Sequence, residues 1–95
     1  MLGVIDSFLC KDTAQLWLTG RNKRFAMIAS VALRKLAMLD AAEEIDDLRV
    51  PPGNRLEALK GNRSGQHSIR INGQWRLCFN WRDGKALNVE ITDYH

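Results

Sequence analysis

A Pro51-Pro52-Gly53 step divides the chain into two halves with different hydrophobic periods. Proline lacks the N–H that a helix interior needs and fixes its own φ, so no regular element runs through the step. Before it, Phe25, Ile28, Ala32, Leu36 and Leu39 recur at three- and four-residue steps. That spacing puts them on one face of a helix over residues 25–40. After it, Trp75, Leu77, Phe79 and Trp81 alternate with Arg76, Cys78 and Asn80, the pattern of a strand with two unlike faces. The expected class is α+β: two N-terminal helices packed on one face of a small antiparallel sheet. Ninety-five residues suffice for one such domain, residues 1–95, with a small core.

Finer punctuation fills in the order of elements. Ile5–Cys10 is a short apolar segment suited to an edge strand. Asp12 offers an N-cap for a helix over 13–19, which Gly20 ends. Ala41–Asp47 is acidic and reads as a solvated turn or helical extension. Arg55–Leu59 and His67–Ile71 are strand-like, separated by a Lys60–Gly65 loop. Asn72-Gly73 and Asp83-Gly84 both suit tight hairpin turns, because these residues accept positive φ. Ala86–Ile91 is the last strand, with Leu87, Val89 and Ile91 expected to face the core. The sheet then has four or five strands.

Charge is uneven along the chain. The net charge is only +3, yet residues 49–85 hold eight Lys/Arg against two acids. Basic residues interleaved with aromatics suit a polyanionic partner, and equally a solvated, arginine-rich sheet edge. Cys10 and Cys78 lie far apart, without the spacing of a disulfide framework or zinc site. Two buried thiols in a reducing cytoplasm are expected. The N-terminus has no basic region followed by an apolar run, so no secretory signal is expected. The apolar run around Ala26–Leu33 is too short to span a bilayer.

Covering one sheet face with helices leaves the other open. Strict alternation puts Arg76 on that open face, with Arg70 on the preceding strand and Lys60 and Arg63 in the loop beside it. Arg55 adds a fifth cation to the stretch. Guanidinium groups on an open sheet can hold phosphate. Arg76 can also serve structurally, by pairing across strands with Glu90. The chain ends Asp93-Tyr94-His95, an acid, a phenol and an imidazole delivered by the last strand. Alternation from Ile91 sends Asp93 and His95 to the core side, so the chain must bend there for all three to share a site. Glu57 is the lone acid within the basic segment and suits either a general base or a plain ion pair. His67 reads as a packed or edge histidine. Cations that hold phosphate, beside groups that move protons, are what metal-independent RNA cleavage needs.

The series from Pro52 to Gly65, then Ser68-Ile69-Arg70-Ile71-Asn72, Gln74-Trp75-Arg76-Leu77-Cys78-Phe79 and terminal Asp93-Tyr94-His95, resembles the HigB branch of the RelE/ParE toxin superfamily. These are the plasmid maintenance system killer toxins of type II toxin–antitoxin pairs. The resemblance implies a small fold like that of microbial RNases. It also implies a ribosome-dependent mRNA endonuclease that halts translation in the cytoplasm without a cofactor or metal. The catalytic residues it implies are Lys60, Arg76, Asp93, Tyr94 and His95; the charge pattern adds Glu57 as a catalytic candidate and Arg55, Arg63 and Arg70 as RNA-binding cations. Some relatives carry a histidine where this chain has Glu57, which leaves Glu57, Asp93 and His95 as candidate bases and implies a mild toxin. The implied partners are a helix-turn-helix antitoxin of the HigA kind, the ribosome and mRNA. Operator DNA is reached only through the antitoxin complex, and no membrane is involved. Two other functions fit the same fold: a ParE-like, non-catalytic gyrase poison, and a non-catalytic RNA- or ribosome-binding module.

Overall fold

The computed structural model describes residues 3–93. Tyr94 and His95 lie outside the described residues. Two α-helices, α1 (Lys11–Thr19) and α2 (Ala29–Ala41), precede four strands: β1 (Glu57–Ala58), β2 (Gln66–Arg70), β3 (Arg76–Arg82) and β4 (Lys85–Thr92). The strands form one antiparallel sheet in the order β1-β2-β3-β4. The expected α+β arrangement is the observed one.

Burial of the two periodic faces against each other builds this architecture. Leu16, Phe25, Ala32, Leu36 and Leu39 meet Ile69, Ile71, Leu77, Phe79, Val89 and Ile91 in one core. Phe25 packs edge-on against Trp75, with ring centroids 5.5 Å apart. α1 ends at Gly20, whose φ of 79° lets its N–H reach back to the Leu16 carbonyl at 2.8 Å.

Several boundaries differ from expectation for local reasons. The helix expected from Phe25 begins as a 3₁₀ turn at Ala26–Ile28 and becomes α-helical at Ala29. Cys10, rather than Asp12, holds the N-cap position of α1. The Asp12 carboxylate instead accepts a hydrogen bond from Asn22 Nδ2 at 3.0 Å. The acidic segment forms a 3₁₀ turn, Ile45–Arg49, closed by a reciprocal Glu44–Asp47 capping box. Beyond the proline step, Asn54 is fully buried. It donates to the Leu48 carbonyl at 3.1 Å and accepts from Lys35 Nζ, which ties the step to α2.

The N-terminal segment lies parallel to β4 as two isolated bridges, at Ile5–Ala86 and Phe8–Val89, and not as a continuous strand. A bulge in β4 explains the interruption. Cys78 pairs with Glu90 and Asn80 with Leu87, so two β4 residues, Asn88 and Val89, oppose the single Phe79. Asn88 has φ 53°, and its N–H is turned onto Ser7 Oγ at 2.9 Å. The extra residue reverses the alternation. Ala86 is buried in the core, whereas Leu87, expected to face inward, pairs with Asn80 on the other face and is only partly covered.

The two hairpins also differ from each other. Asp83 (φ 52°) and Gly84 (φ 74°) make the expected tight turn. Neither Asn72 nor Gly73 is among the positive-φ residues. There the Asn72 side chain accepts from the backbone N–H groups of Gln74 and Trp75, both at 2.8 Å, and closes the turn.

Among the described residues, a polar contact fastens α1 to the sheet. Buried Thr13 Oγ1 accepts from Ile91 N–H at 3.0 Å. Thr13→Val keeps the shape and orphans that N–H. A drop of about 1–3 kcal/mol in unfolding free energy is expected by denaturant titration, with an unchanged slope. A drop below about 0.5 kcal/mol would show that the Thr13 hydroxyl does not fasten the helix.

Candidate active site on the open face of the sheet

Strand register sorts the face away from the helices into rows, because residues directly opposite one another share a side. Arg70, Arg76 and Thr92 form one row. Glu57, Ser68, Cys78 and Glu90 form the next, across all four strands. Gln66, Asn80 and Leu87 form a third, and Arg82 with Lys85 a fourth.

Arg76 is held closely on this face, with only 14% of its side chain exposed. Its Nε donates to Ser68 Oγ at 2.9 Å, and its Nη2 donates to the Arg55 carbonyl at 2.8 Å. Nη2 also lies 3.3 Å from Glu57 Oε1. Arg55 adopts φ 48°, the left-handed region, as the chain leaves the proline step with that carbonyl bonded to Arg76. Planarity and these bonds hold the guanidinium in one orientation. The Arg55 side chain itself is exposed. Arg70 stands directly across from Arg76.

Arg63 reaches inward from the loop. Its Nη1 lies 3.0 Å from both Glu90 Oε1 and Gln66 Oε1. Glu90 is therefore paired with Arg63, not with Arg76, whose acid partner is Glu57. Lys60 precedes the 3₁₀ turn Gly61–Arg63 and is exposed; its ammonium forms no ion pair among the described residues. Asp93 is exposed too, and its Oδ2 accepts from Gln74 Nε2 at 3.1 Å in the β2–β3 connection. It does not enter the core as alternation alone predicts, because β4 ends at Thr92. The structure thus brings Glu57, Arg76 and Arg70 together and holds Arg63 against Glu90. Tyr94 and His95, expected at the same site, lie outside the described residues.

Sequence reasoning missed two contributors. Ser68 is fully buried and orients Arg76; its only sequence signal is that it shares a strand side with Arg70. Cys78 forms the floor between the two ion pairs and has no exposed surface. Burial pushes its thiol up to about 11, while the opposing charges of Arg63, Glu90, Arg76 and Glu57 largely offset one another. His67 stacks on Phe79 at 6.4 Å with a buried Nδ1 that finds no hydrogen-bond partner among the described residues, which fits a packed histidine. A cavity of about 480 Å³ lies elsewhere, at the helix layer, lined by Gln15, Arg21, Asn22 and Lys23 among others. None of the candidate residues lines it.

Residues 15–95 match the family model described as the RelE-like toxin of the type II toxin–antitoxin system HigB. The chain belongs to the HigB-like toxin family. Its class of partner is therefore an antitoxin. Toxin HigB-1 of Vibrio cholerae is 57% identical over 77 residues, covering 77% of this chain and 81% of that protein. A Proteus vulgaris protein named Endoribonuclease HigB is 36% identical over 61 residues, covering 64% of this chain and 65% of its own. Among solved structures, a YafQ variant from E. coli superposes with a TM-score of 0.59 at 14% identity, covering 94% of this chain and 90% of that one. The YoeB–YefM complex from Staphylococcus aureus gives 0.56 at 19% identity, covering 96% and 97%. These two likenesses show that this HigB-like toxin shares a fold with them. Among the described residues no helix is long and apolar enough to cross a membrane.

The raised Cys78 thiol makes stability depend on pH. A thiol raised in the folded state binds its proton more tightly there. Its contribution to stability is fully present below the ordinary value of 9.0 and disappears as pH rises through about 11. Unfolding titrations from about pH 8 to 11 should show the parent destabilising more steeply than Cys78→Ala. Parallel curves would mean that the thiol ionises as readily in the folded chain as in the unfolded one.

Proposed function

We propose that this toxin is an endoribonuclease that cuts mRNA on the ribosome and so arrests translation. The observation that carries the reading is the contact between Arg76 and Glu57, a fixed guanidinium beside a carboxylate that is 52% exposed, on an open sheet face. The two groups supply what RNA transesterification asks of an enzyme: a cation for the phosphate and an acceptor for the 2′-hydroxyl proton. The name of the Proteus vulgaris relative supports the same chemistry.

The ribose 2′-hydroxyl gives its proton to a carboxylate as its oxygen bonds to the adjacent phosphorus. Arg76, with Lys60 from the neighbouring loop, stabilises the charge that builds on the phosphoryl oxygens. The bond from phosphorus to the 5′-oxygen then breaks, and that oxygen takes a proton from His95. The products are a 2′,3′-cyclic phosphate and a 5′-hydroxyl. Tyr94 stacks on or orients a base. Glu57 and Asp93 are the candidate proton acceptors, and Glu57 is favoured by its contact with Arg76. Arg70 faces the same phosphate path, with Arg55 and Arg63 at its margin. Neutralisation comes from a helix-turn-helix antitoxin, whose complex with the toxin binds operator DNA. The protein acts in the cytoplasm as the single domain 1–95.

Primer extension on a reporter mRNA in a translating extract tests the reading. The parent should produce discrete cuts within translated codons, and Arg76→Ala should slow them by about 10²–10³-fold. No cuts with translation intact would point to a gyrase poison, and no cuts with translation blocked to a ribosome binder. Two further variants identify the base. If Glu57 takes the proton, Glu57→Gln lowers the cleavage rate by about 10²–10⁴-fold, while Asp93→Asn leaves it within a few-fold of the parent. The reverse pattern would assign the role to Asp93.

A further inference from the structure

The open face carries two pairs of like charges set directly opposite each other across strands: Arg70 with Arg76 at one end, and Arg82 with Lys85 at the other. Like charges in register destabilise a sheet, so each pair costs stability unless something else uses it. The first belongs to the proposed catalytic centre. The second has no role in it. Arg82 and Lys85 are exposed and make no ion pair among the described residues. They flank the tight Asp83–Gly84 turn, which holds both cations side by side at the hairpin tip. Asp83 is the nearest acid in the chain and leaves the tip with a net positive charge.

The surface between the two pairs is prepared for a polyanion. Its two acids, Glu57 and Glu90, are each paired with an arginine, Arg76 and Arg63. The intervening row is neutral, with Gln66, Asn80 and Leu87. Asn80 Nδ2 donates to the Gly65 carbonyl and Asn80 Oδ1 accepts from Asn88 Nδ2, both at 3.1 Å, and Gln66 Oε1 accepts from Arg63. Arg76 and Arg82 stand at the two ends of β3, about 20 Å apart along the strand. An extended RNA strand lying along β3 covers that distance in several nucleotides.

We propose that Arg82 and Lys85 form a second phosphate-binding point for the RNA strand whose scissile phosphate sits at Arg76. This second point rests on the RNA-cleaving reading and extends it. The hairpin tip grips the message several nucleotides from the cut, sets the strand along β3 and adds affinity that does not depend on sequence.

The test pairs RNA length with charge removal. Uncleavable single-stranded RNAs, a trinucleotide and a dodecamer carrying 2′-deoxyribose, are titrated against the parent, Arg82→Gln/Lys85→Gln and Arg76→Ala. The double variant should bind the dodecamer about tenfold more weakly near physiological salt. Its salt dependence should flatten by about 0.7 in log–log slope for each phosphate that no longer has a cation beside it. Its affinity for the trinucleotide should not change, whereas Arg76→Ala weakens both. Removing like-charge repulsion should leave its thermal midpoint at or above that of the parent. Equal dodecamer affinity for parent and double variant overturns the proposal, as does a parent that binds neither RNA. Unchanged oligonucleotide affinity with weaker pelleting on message-free ribosomes assigns the pair to ribosomal RNA and also overturns it. A length-dependent weakening from a parent that makes no cuts in the translating extract keeps the second binding point and sinks the nuclease reading alone.

Discussion

The register of β2 against β3 is the constraint on which both the core and the site depend. It places Ile69 opposite Leu77 and His67 opposite Phe79 on the helix side, and Ser68 opposite Cys78 and Arg70 opposite Arg76 on the other. Side chains alternate with a period of two, so a slip of one residue would exchange these faces. Leu77 and Phe79, now without exposed surface, would be moved into water and Arg76 into the core. Burying a large apolar side chain is worth about 1.5–3 kcal/mol, so hydrophobic burial enforces the register strongly. The Asn72 side chain, bonded to two backbone N–H groups across the turn, reinforces it locally. The arginine is therefore aimed by hydrophobic packing on the opposite side of the sheet.

Ion pairs on the open face contribute geometry more than stability. The Glu57 side chain is half exposed, and pairs of that kind are worth about 0–1 kcal/mol. The same contact limits where Arg76 can point. Its neutral partners, Ser68 Oγ and the Arg55 carbonyl, fix two of its nitrogens. Receptor atoms fixed before a ligand arrives need little reorganisation as charge develops on it. Arg63 with Glu90 works similarly beside Cys78 and leaves no acid in that row without a cationic partner. Stability is sacrificed at the two like-charged rows, where opposed cations repel, and that placement agrees with a polyanion lying along the strands.

Features governed by local periodicity are legible in the chain itself. The spacing of Phe25, Ala32, Leu36 and Leu39 locates the helix that covers the sheet, and the run from Trp75 to Trp81 locates the central strand and the side of Arg76. Asp83-Gly84 marks a real turn, because both residues adopt the left-handed backbone it demands. What escapes depends on partners distant in sequence. The bulge at Asn88 is stabilised by Ser7, 81 residues away, and it turns Leu87 outward against simple alternation. Arg63 takes Glu90 from Arg76 because its side chain reaches from the β1–β2 loop to Gln66 and Glu90. Asn72-Gly73 carries the composition of one turn type and forms another, since its side-chain hydrogen bonds do the work that positive φ does at the second hairpin. In the candidate site, alternation and charge point to an acid beside Arg76, although they suggest Glu90 where the fold supplies Glu57. The tail of Tyr94 and His95 is legible only as chemistry.

The most direct measurement is a structure of the toxin on a ribosome whose message carries 2′-deoxyribose at the cleaved position. The account requires a phosphate of that message within about 3 Å of the Arg76 guanidinium. It also requires a carboxylate, from Glu57 or Asp93, near the 2′ position on the same face of the sheet. A message bound over the helix layer, or one that crosses the open face without approaching Arg76, would contradict it.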